Sequence, residues 1–168
     1  MLTSFLVGGK EYEFTLIGSI AGGIPGNSKR KIIMNESPKN GKCIVKPTEG
    51  RPLEPKFTLN CSGFKDDETP LQYEFFYSKG KGYKTETLGS GPEASRQQVT
   101  FPSGSEKNEY KLTLYAKISD RLGASRMVEF ESPIKVSSLM EAVGAFTHNS
   151  NGGARFPDRN QHNVLLGI

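Results

Sequence analysis

Apolar and polar residues alternate along several short stretches of the chain, and this alternation predicts a protein made of β-strands. The clearest stretch runs from residue 110 to residue 118, and shorter ones occupy residues 12–16 and 71–75. Because successive side chains of a strand point to opposite faces of its sheet, a period of two predicts strands with one buried face. The predicted buried positions are Tyr110, Leu112, Leu114, Ala116 and Ile118 in the first stretch, and Leu71, Tyr73 and Phe75 in the last.

Turn-forming residues divide the chain into many such strands. Seven short runs occur between residues 38 and 138, separated by turns rich in glycine, proline, asparagine and aspartate. Short strands at this spacing are typical of antiparallel sandwiches. The sequence therefore predicts an all-β fold, a fibronectin type III or immunoglobulin-like β-sandwich, over residues 38–138.

A short internal repeat suggests that the chain also contains part of a second sandwich. The six residues Glu11–Leu16 resemble the six residues Glu109–Leu114, and the two segments begin 98 residues apart. This offset is close to the length of one sandwich domain. Residues 1–37 are therefore predicted to be the last strands of an upstream copy, and residues 38–138 to be a complete copy.

The alternation stops after residue 138. Residues 139–168 are polar and irregular, and they contain both histidines, His148 and His162. We expect an irregular or disordered tail there.

Neither histidine lies beside an acid–base partner, and no Gly-x-Ser-x-Gly motif occurs. The sequence thus predicts no enzyme, no cofactor and no metal site.

Composition agrees with short strands and excludes several classes of function. Of 168 residues, 35% are hydrophobic, 10% are aromatic, 19 are glycine and 10 are proline. The net charge of +4 is modest and its lysines and arginines are scattered among acids, which predicts a solvated surface and no nucleic-acid partner. No apolar run approaches the ~20 residues that span a bilayer, so we expect no membrane insertion by this segment.

The two cysteines carry the strongest chemical signal. If the chain folds back near Pro52 and Leu53, antiparallel pairing places Cys43 opposite Cys61, within reach of a disulfide. A disulfide implies an oxidising compartment. The alternative is two buried free thiols in a cytosolic domain.

Two triplets match the N-glycosylation pattern. They begin at Asn35 and Asn60. Asn60 directly precedes Cys61, which we expect to be bonded. Occupancy is therefore better supported at Asn35 than at Asn60.

Two charged turns are candidate binding sites, each with a simpler explanation. Residues 66–68 are three consecutive acids, but their spacing matches no known calcium loop, and a solvated turn is the default. Lys79, Lys81 and Lys84 suit a phosphate or a sulfated glycan, although no phosphate-binding loop pattern is present. A hairpin tip kept soluble by lysines explains them equally well.

Several spaced motifs occur together over residues 5–138. The first are Gly41-x-Cys43, Pro47-x-x-Gly50, Phe57-x-Leu59-x-Cys61-x-Gly63-Phe64-x-Asp66 and Pro70-Leu71-x-Tyr73-x-Phe75. They continue through Leu88-Gly89, Phe101-Pro102-x-Gly104, Tyr110 and Asp120-x-Leu122-Gly123-Ala124. Together these motifs resemble the REJ (receptor for egg jelly) region of the polycystin family, which commonly has Trp where this chain has Phe64.

This resemblance implies a non-catalytic stretch of tandem fibronectin-like sandwiches on the extracellular side of the plasma membrane, within a large multi-pass protein. Such proteins are linked to adhesion, mechanical sensing, fertilisation and calcium-channel signalling. Cys43 and Cys61 match the family's paired cysteines. The family's autoproteolysis region, lipase-like domain and membrane helices have no counterpart here, so we expect a fragment.

The motif positions also make physical sense as structural residues. Tyr110, at the start of the penultimate strand, is predicted to form a tyrosine corner. Asp120 and Gly123 suit a turn that needs a side-chain acceptor and a permissive backbone.

Three hypotheses follow. The first is the extracellular module of a polycystin-like receptor, whose partners are the rest of that membrane protein and an unknown extracellular protein or glycan ligand. The second is an adhesion or carbohydrate-binding sandwich of another family, and the third is an intracellular sandwich with reduced cysteines.

Overall fold

The computed structural model describes residues 6–54 and 56–138, and the predicted tail at 139–168 lies outside this range. The described residues form eleven β-strands and a 3-10 helix at Glu106–Asn108. The strands are β1 Glu11–Gly18, β2 Gly26–Ile33, β3 Lys39–Lys46, β4 Glu49–Gly50, β5 Phe57–Lys65, β6 Gln72–Ser78, β7 Glu86–Gly91, β8 Ser95–Val99, β9 Lys111–Ser119, β10 Ser125–Glu129 and β11 Ile134–Val136.

The strands are arranged in three sheets. Strands β1 and β2 pair with each other as an antiparallel hairpin. Strands β3, β5 and β8 form a three-stranded sheet, and the largest sheet has the order β4-β11-β9-β6-β7, with β10 also paired to β9. The all-β prediction is therefore confirmed, and we call the two larger sheets together the body.

Both sheets of the body contribute side chains to one hydrophobic core. From β9 come Leu112, Leu114, Ala116 and Ile118, all nearly inaccessible to solvent, as the alternation predicts. The three-stranded sheet contributes Phe57, whose ring meets Phe101 edge to face with ring centroids 5.2 Å apart. The remaining core residues are Cys43, Val45, Leu59, Cys61, Tyr73, Phe75, Tyr77, Val99, Phe130, Ile134 and Val136. Two sheets around one core are consistent with a β-sandwich.

The polar residues that follow Cys61 predict a turn, but strand β5 continues through them to Lys65, which pairs with Lys39 of β3. Two glycines with positive φ, Gly41 (+74°) and Gly63 (+78°), lie opposite each other in this extension. A Cβ on Gly41 would lie 2.5 Å from the ring of Phe64, so glycine lets that ring cover the backbone.

Tyr110 differs from its predicted role. It lies just before β9 in a left-handed conformation (φ +59°) and is half-buried. Its backbone nitrogen donates to the carbonyl of Ser105 and its carbonyl accepts from Val136. No hydrogen bond among the described residues involves its hydroxyl, so the predicted tyrosine corner is not formed there. Glu109 (φ +52°) and Tyr110 are both left-handed and not extended, so the alternation of buried residues in β9 does not reach back to Tyr110.

Leu71 also lies outside its predicted strand, immediately before β6. It is half-buried and packs against the core, whereas Tyr73 and Phe75 are fully part of it. The predicted inward row is therefore correct for the two aromatic residues and only partial for Leu71.

The β1–β2 hairpin has two different faces. One face carries two cross-strand ion pairs, Lys29 with Glu13 at 2.9 Å and Lys31 with Glu11 at 2.8 Å. On the opposite face, which carries the predicted apolar row, Phe14 is 46% exposed and Leu16 is 75% exposed. Within the described residues, no further strand pairs with this hairpin.

Candidate functional site

The two cysteines form a buried cross-strand disulfide. Cys43 of β3 lies directly opposite Cys61 of β5, with Cα atoms 4.1 Å apart and an S–S distance of 1.96 Å. Both residues are almost inaccessible to solvent. The pairing predicted from the fold-back of the chain is therefore present, and the hypothesis of two free thiols does not agree with the structure.

Asp120 is a buried carboxylate that closes the turn between β9 and β10. Its Oδ1 atom accepts hydrogen bonds from the backbone nitrogens of Leu122 (2.8 Å) and Ala124 (3.0 Å). Gly123 has a φ of +93°, a conformation that favours glycine. Both residues thus have the turn-forming roles that the sequence predicts.

The structure adds a partner for Asp120 that the sequence does not indicate. The side-chain nitrogen of Asn35 donates to the second carboxylate oxygen, Oδ2, at 2.7 Å. The two residues are 85 positions apart, and no local periodicity links them. A glycan on Asn35 would be attached to this same nitrogen, so it must share or displace the contact.

Asn60, the second predicted glycosylation position, lies in the middle of β5. It is half-buried and pairs with Ile44 of β3 on one side and Ser95 of β8 on the other. Glycosylation at Asn35 and Asn60 stays a prediction.

A groove of about 580 Å³ lies between the end of the hairpin and two turns of the body. It is lined by lysines as well as acids, including Lys39, Lys65 and the acidic turn at residues 66–68. Asp66 accepts from the backbone nitrogen of Glu68 (2.8 Å), and Glu68 forms an ion pair with Arg121 (3.1 Å). Across the described residues, no three histidine, cysteine or acidic side chains are grouped to hold a metal ion.

The three predicted glycan-binding lysines lie in the connection between β6 and β7. Lys81 and Lys84 are exposed and Lys79 is half-buried. This placement fits a solvated hairpin tip, and glycan binding by these residues stays a prediction.

Among the described residues, Tyr77 is the titratable group with the largest pKa shift. Burial, the hydrogen bond to Glu86 and the charge of that carboxylate together raise the pKa of Tyr77 to about 12. Its hydroxyl donates to Oε2 of Glu86 at 2.6 Å, across the β6–β7 pair. Burial also raises the pKa of Tyr73. Both tyrosines are core positions.

The Tyr77 shift predicts a loss of stability at alkaline pH. An unfolded tyrosine has a pKa of about 10. The neutral Tyr77 hydroxyl therefore contributes its full stabilisation of the folded state below pH 10, and this contribution is lost as pH rises towards 12. We expect the free energy of unfolding to fall by about 2 kcal/mol more in the wild type than in Tyr77→Phe over this range. Urea unfolding at pH 8, 10 and 11.5 measures the difference, with Tyr115→Phe as control. Parallel curves for wild type and Tyr77→Phe would contradict the assignment.

Residues 6–54 and 56–138 include no helix that could span a lipid bilayer.

Comparison with known proteins gives a consistent result. A family model described as the REJ domain matches residues 3–152. The chain is 30% identical over 128 residues to the human polycystin family receptor for egg jelly, and 27% identical over 124 residues to the mouse protein of that name. These alignments cover 70% and 68% of the chain but only 6% of each relative.

Proposed function

Because the chain belongs to the REJ domain family, we propose that it is a non-catalytic extracellular module of a polycystin-like multi-pass membrane receptor. The match over residues 3–152 is the observation that carries this proposal. The buried Cys43–Cys61 disulfide supports an oxidising, extracellular setting. Since the chain spans about 6% of the length of its curated relatives, the role in adhesion, mechanical sensing or calcium-channel signalling is proposed for the whole receptor.

The fold part of the proposal is a fibronectin type III or immunoglobulin-like sandwich over residues 38–138. Its support is the strand arrangement: a three-stranded sheet β3-β5-β8 faces a sheet in which β9 lies between β6 and the β10–β11 segments. Antiparallel pairs dominate both sheets, and β4 with β11 is a short parallel exception. This resembles the two-sheet division of such sandwiches.

For residues 1–37 we propose the last strands of a preceding sandwich. The β1–β2 hairpin corresponds to the β9–β10 hairpin in both repeat position and strand direction. In the repeat, Phe14 aligns with Leu112, which is completely buried by the opposing sheet, whereas Phe14 is 46% exposed. A preceding sheet of the same kind would cover the apolar face of the hairpin.

The alternative of an adhesion or carbohydrate-binding protein from another family is replaced by a narrower one within the REJ family. A glycan ligand at Lys79, Lys81 and Lys84 remains a candidate because Lys81 and Lys84 are exposed on one turn. A saturable glycan-array signal that is lost when the three lysines are changed to glutamate would favour it.

Surface labelling tests the location. An antibody raised against this chain is expected to stain intact, non-permeabilised cells that express the whole parent protein. A tag engineered on a known cytoplasmic protein of the same cells serves as the negative control. Staining that appears only after permeabilisation would overturn the extracellular assignment.

A further inference from the structure

The segment that links the hairpin to the body is held at both ends. We call residues 34–38 the joint segment. At its start, the carbonyl of Met34 accepts from Gly9 (2.8 Å) and its nitrogen donates to Lys10 (2.9 Å), which continues the hairpin ladder. At its end, Pro38 is fully buried in the body. A connection with both ends anchored has few remaining degrees of freedom.

The middle of the joint segment is bound to the body by the Asn35–Asp120 contact. Asp120 is 4% exposed, and the turn uses only one of its oxygens, Oδ1. A buried carboxylate oxygen that accepts no hydrogen bond destabilises the fold. The Asn35 amide donates to Oδ2, the oxygen that the turn does not use. Hydrogen bonds to charged groups are also among the stronger ones.

Two glycines allow the hairpin to lie against the joint segment. A Cβ on Gly8 would be 2.9 Å from the carbonyl oxygen of Asn35. Gly9 has a φ of +74°, and a side chain there would overlap the carboxylate of Glu36. Glu36 in turn forms an ion pair with Lys39 at the start of β3. The joint segment therefore contacts both the residues that lead into the hairpin and the first strand of the body.

We propose that the Asn35–Asp120 hydrogen bond is a clasp that fixes the orientation of the hairpin relative to the body. Asn35 is a positioning residue. Its amide nitrogen holds the joint segment against Asp120 in preference to carrying a glycan. This role rests on the proposed function, in which similar modules follow one another along the receptor. In such an array, the clasp sets the angle between successive modules. Opening the clasp changes that angle without unfolding either part.

A charge substitution in the full chain tests the clasp directly. Asn35→Asp places a second carboxylate against Asp120, and like charges at this separation repel. With spin labels at Thr15→Cys in the hairpin and Lys107→Cys in the body, both exposed positions, we expect a single narrow distance in the parent chain. In Asn35→Asp, the ratio of molecules at that distance to molecules at all other distances should fall by roughly tenfold or more, as expected for loss of a hydrogen bond to a charged group.

The reversed pair is the matched control. In Asn35→Asp combined with Asp120→Asn, the amide oxygen at 120 still closes the turn and its nitrogen donates to the carboxylate at 35. The narrow distance should return. An unchanged distance distribution in Asn35→Asp, or a double variant that folds without recovering the narrow distance, would overturn the clasp.

Two further variants separate folding and glycosylation from the clasp. Asn35→Ala adds no charge and should also broaden the distance distribution, so it provides the measurement if the aspartate variant fails to fold. Ser37→Ala removes the glycosylation triplet but leaves the Asn35 amide, and its distance distribution should match the parent in protein secreted from eukaryotic cells. Broadening in Ser37→Ala would show that a glycan controls the joint and would overturn the clasp. These distances do not depend on the cellular location of the receptor, so the clasp and the proposed function can fail separately.

Discussion

Replacing Phe101 by alanine is expected to lower the free energy of unfolding by about 3–5 kcal/mol, as for large-to-small changes in other cores. Phe101 is 1% exposed, and its ring meets Phe57 at 5.2 Å and Tyr77 at 5.7 Å, both edge to face. The first partner belongs to β5 and the second to β6, so this side chain joins the two sheets. Its removal leaves a cavity that neither sheet can close without moving. Urea unfolding followed by circular dichroism measures the change.

The matched control is Phe14→Ala in the hairpin. Its side chain is 46% exposed, so we expect a change of less than about 0.5 kcal/mol in this chain. The denaturant slope should stay constant in both variants, since the surface exposed on unfolding is nearly the same. Equal losses for the two variants would contradict the assignment of Phe101 to a core shared by both sheets. In a longer segment that carries the proposed preceding sheet, Phe14→Ala should become strongly destabilising.

Removing the disulfide with Cys43→Ala and Cys61→Ala together is expected to lower the free energy of unfolding by about 3 kcal/mol. The two residues are 18 positions apart, and closing a loop of this length restricts the unfolded chain by an amount of that order. The bond also lies inside the core, so the alanines lose buried sulfur contacts. Denaturation with and without reductant measures both contributions.

The alanine pair in reductant controls for effects of reductant elsewhere. Reductant should destabilise the wild type and leave the double variant unchanged, because the described residues contain no free cysteine. A wild type whose unfolding curve is insensitive to reductant, with reduction verified by mass spectrometry, would contradict the predicted contribution.

Local pattern predicted much of the fold correctly. The period of two located β1, β6 and β9, because one face of each strand carries apolar residues whether or not that face is covered. The fold-back near Pro52 and Leu53 predicted which residues meet across β3 and β5. The end of β5 was less predictable, because it depends on the close approach of the Phe64 ring to Gly41 in the neighbouring strand β3.

Composition and local sequence by themselves determined the strand-rich architecture, the cysteine pairing and the turn at Asp120 and Gly123. Each depends on residues that are close along the chain or joined by one hairpin. Only the tertiary structure decided that Asn35 meets Asp120, that β4 pairs with β11, and that the apolar face of the hairpin is exposed. These features join residues distant in sequence or depend on which other surfaces are present, and hydrophobic periodicity contains neither kind of information.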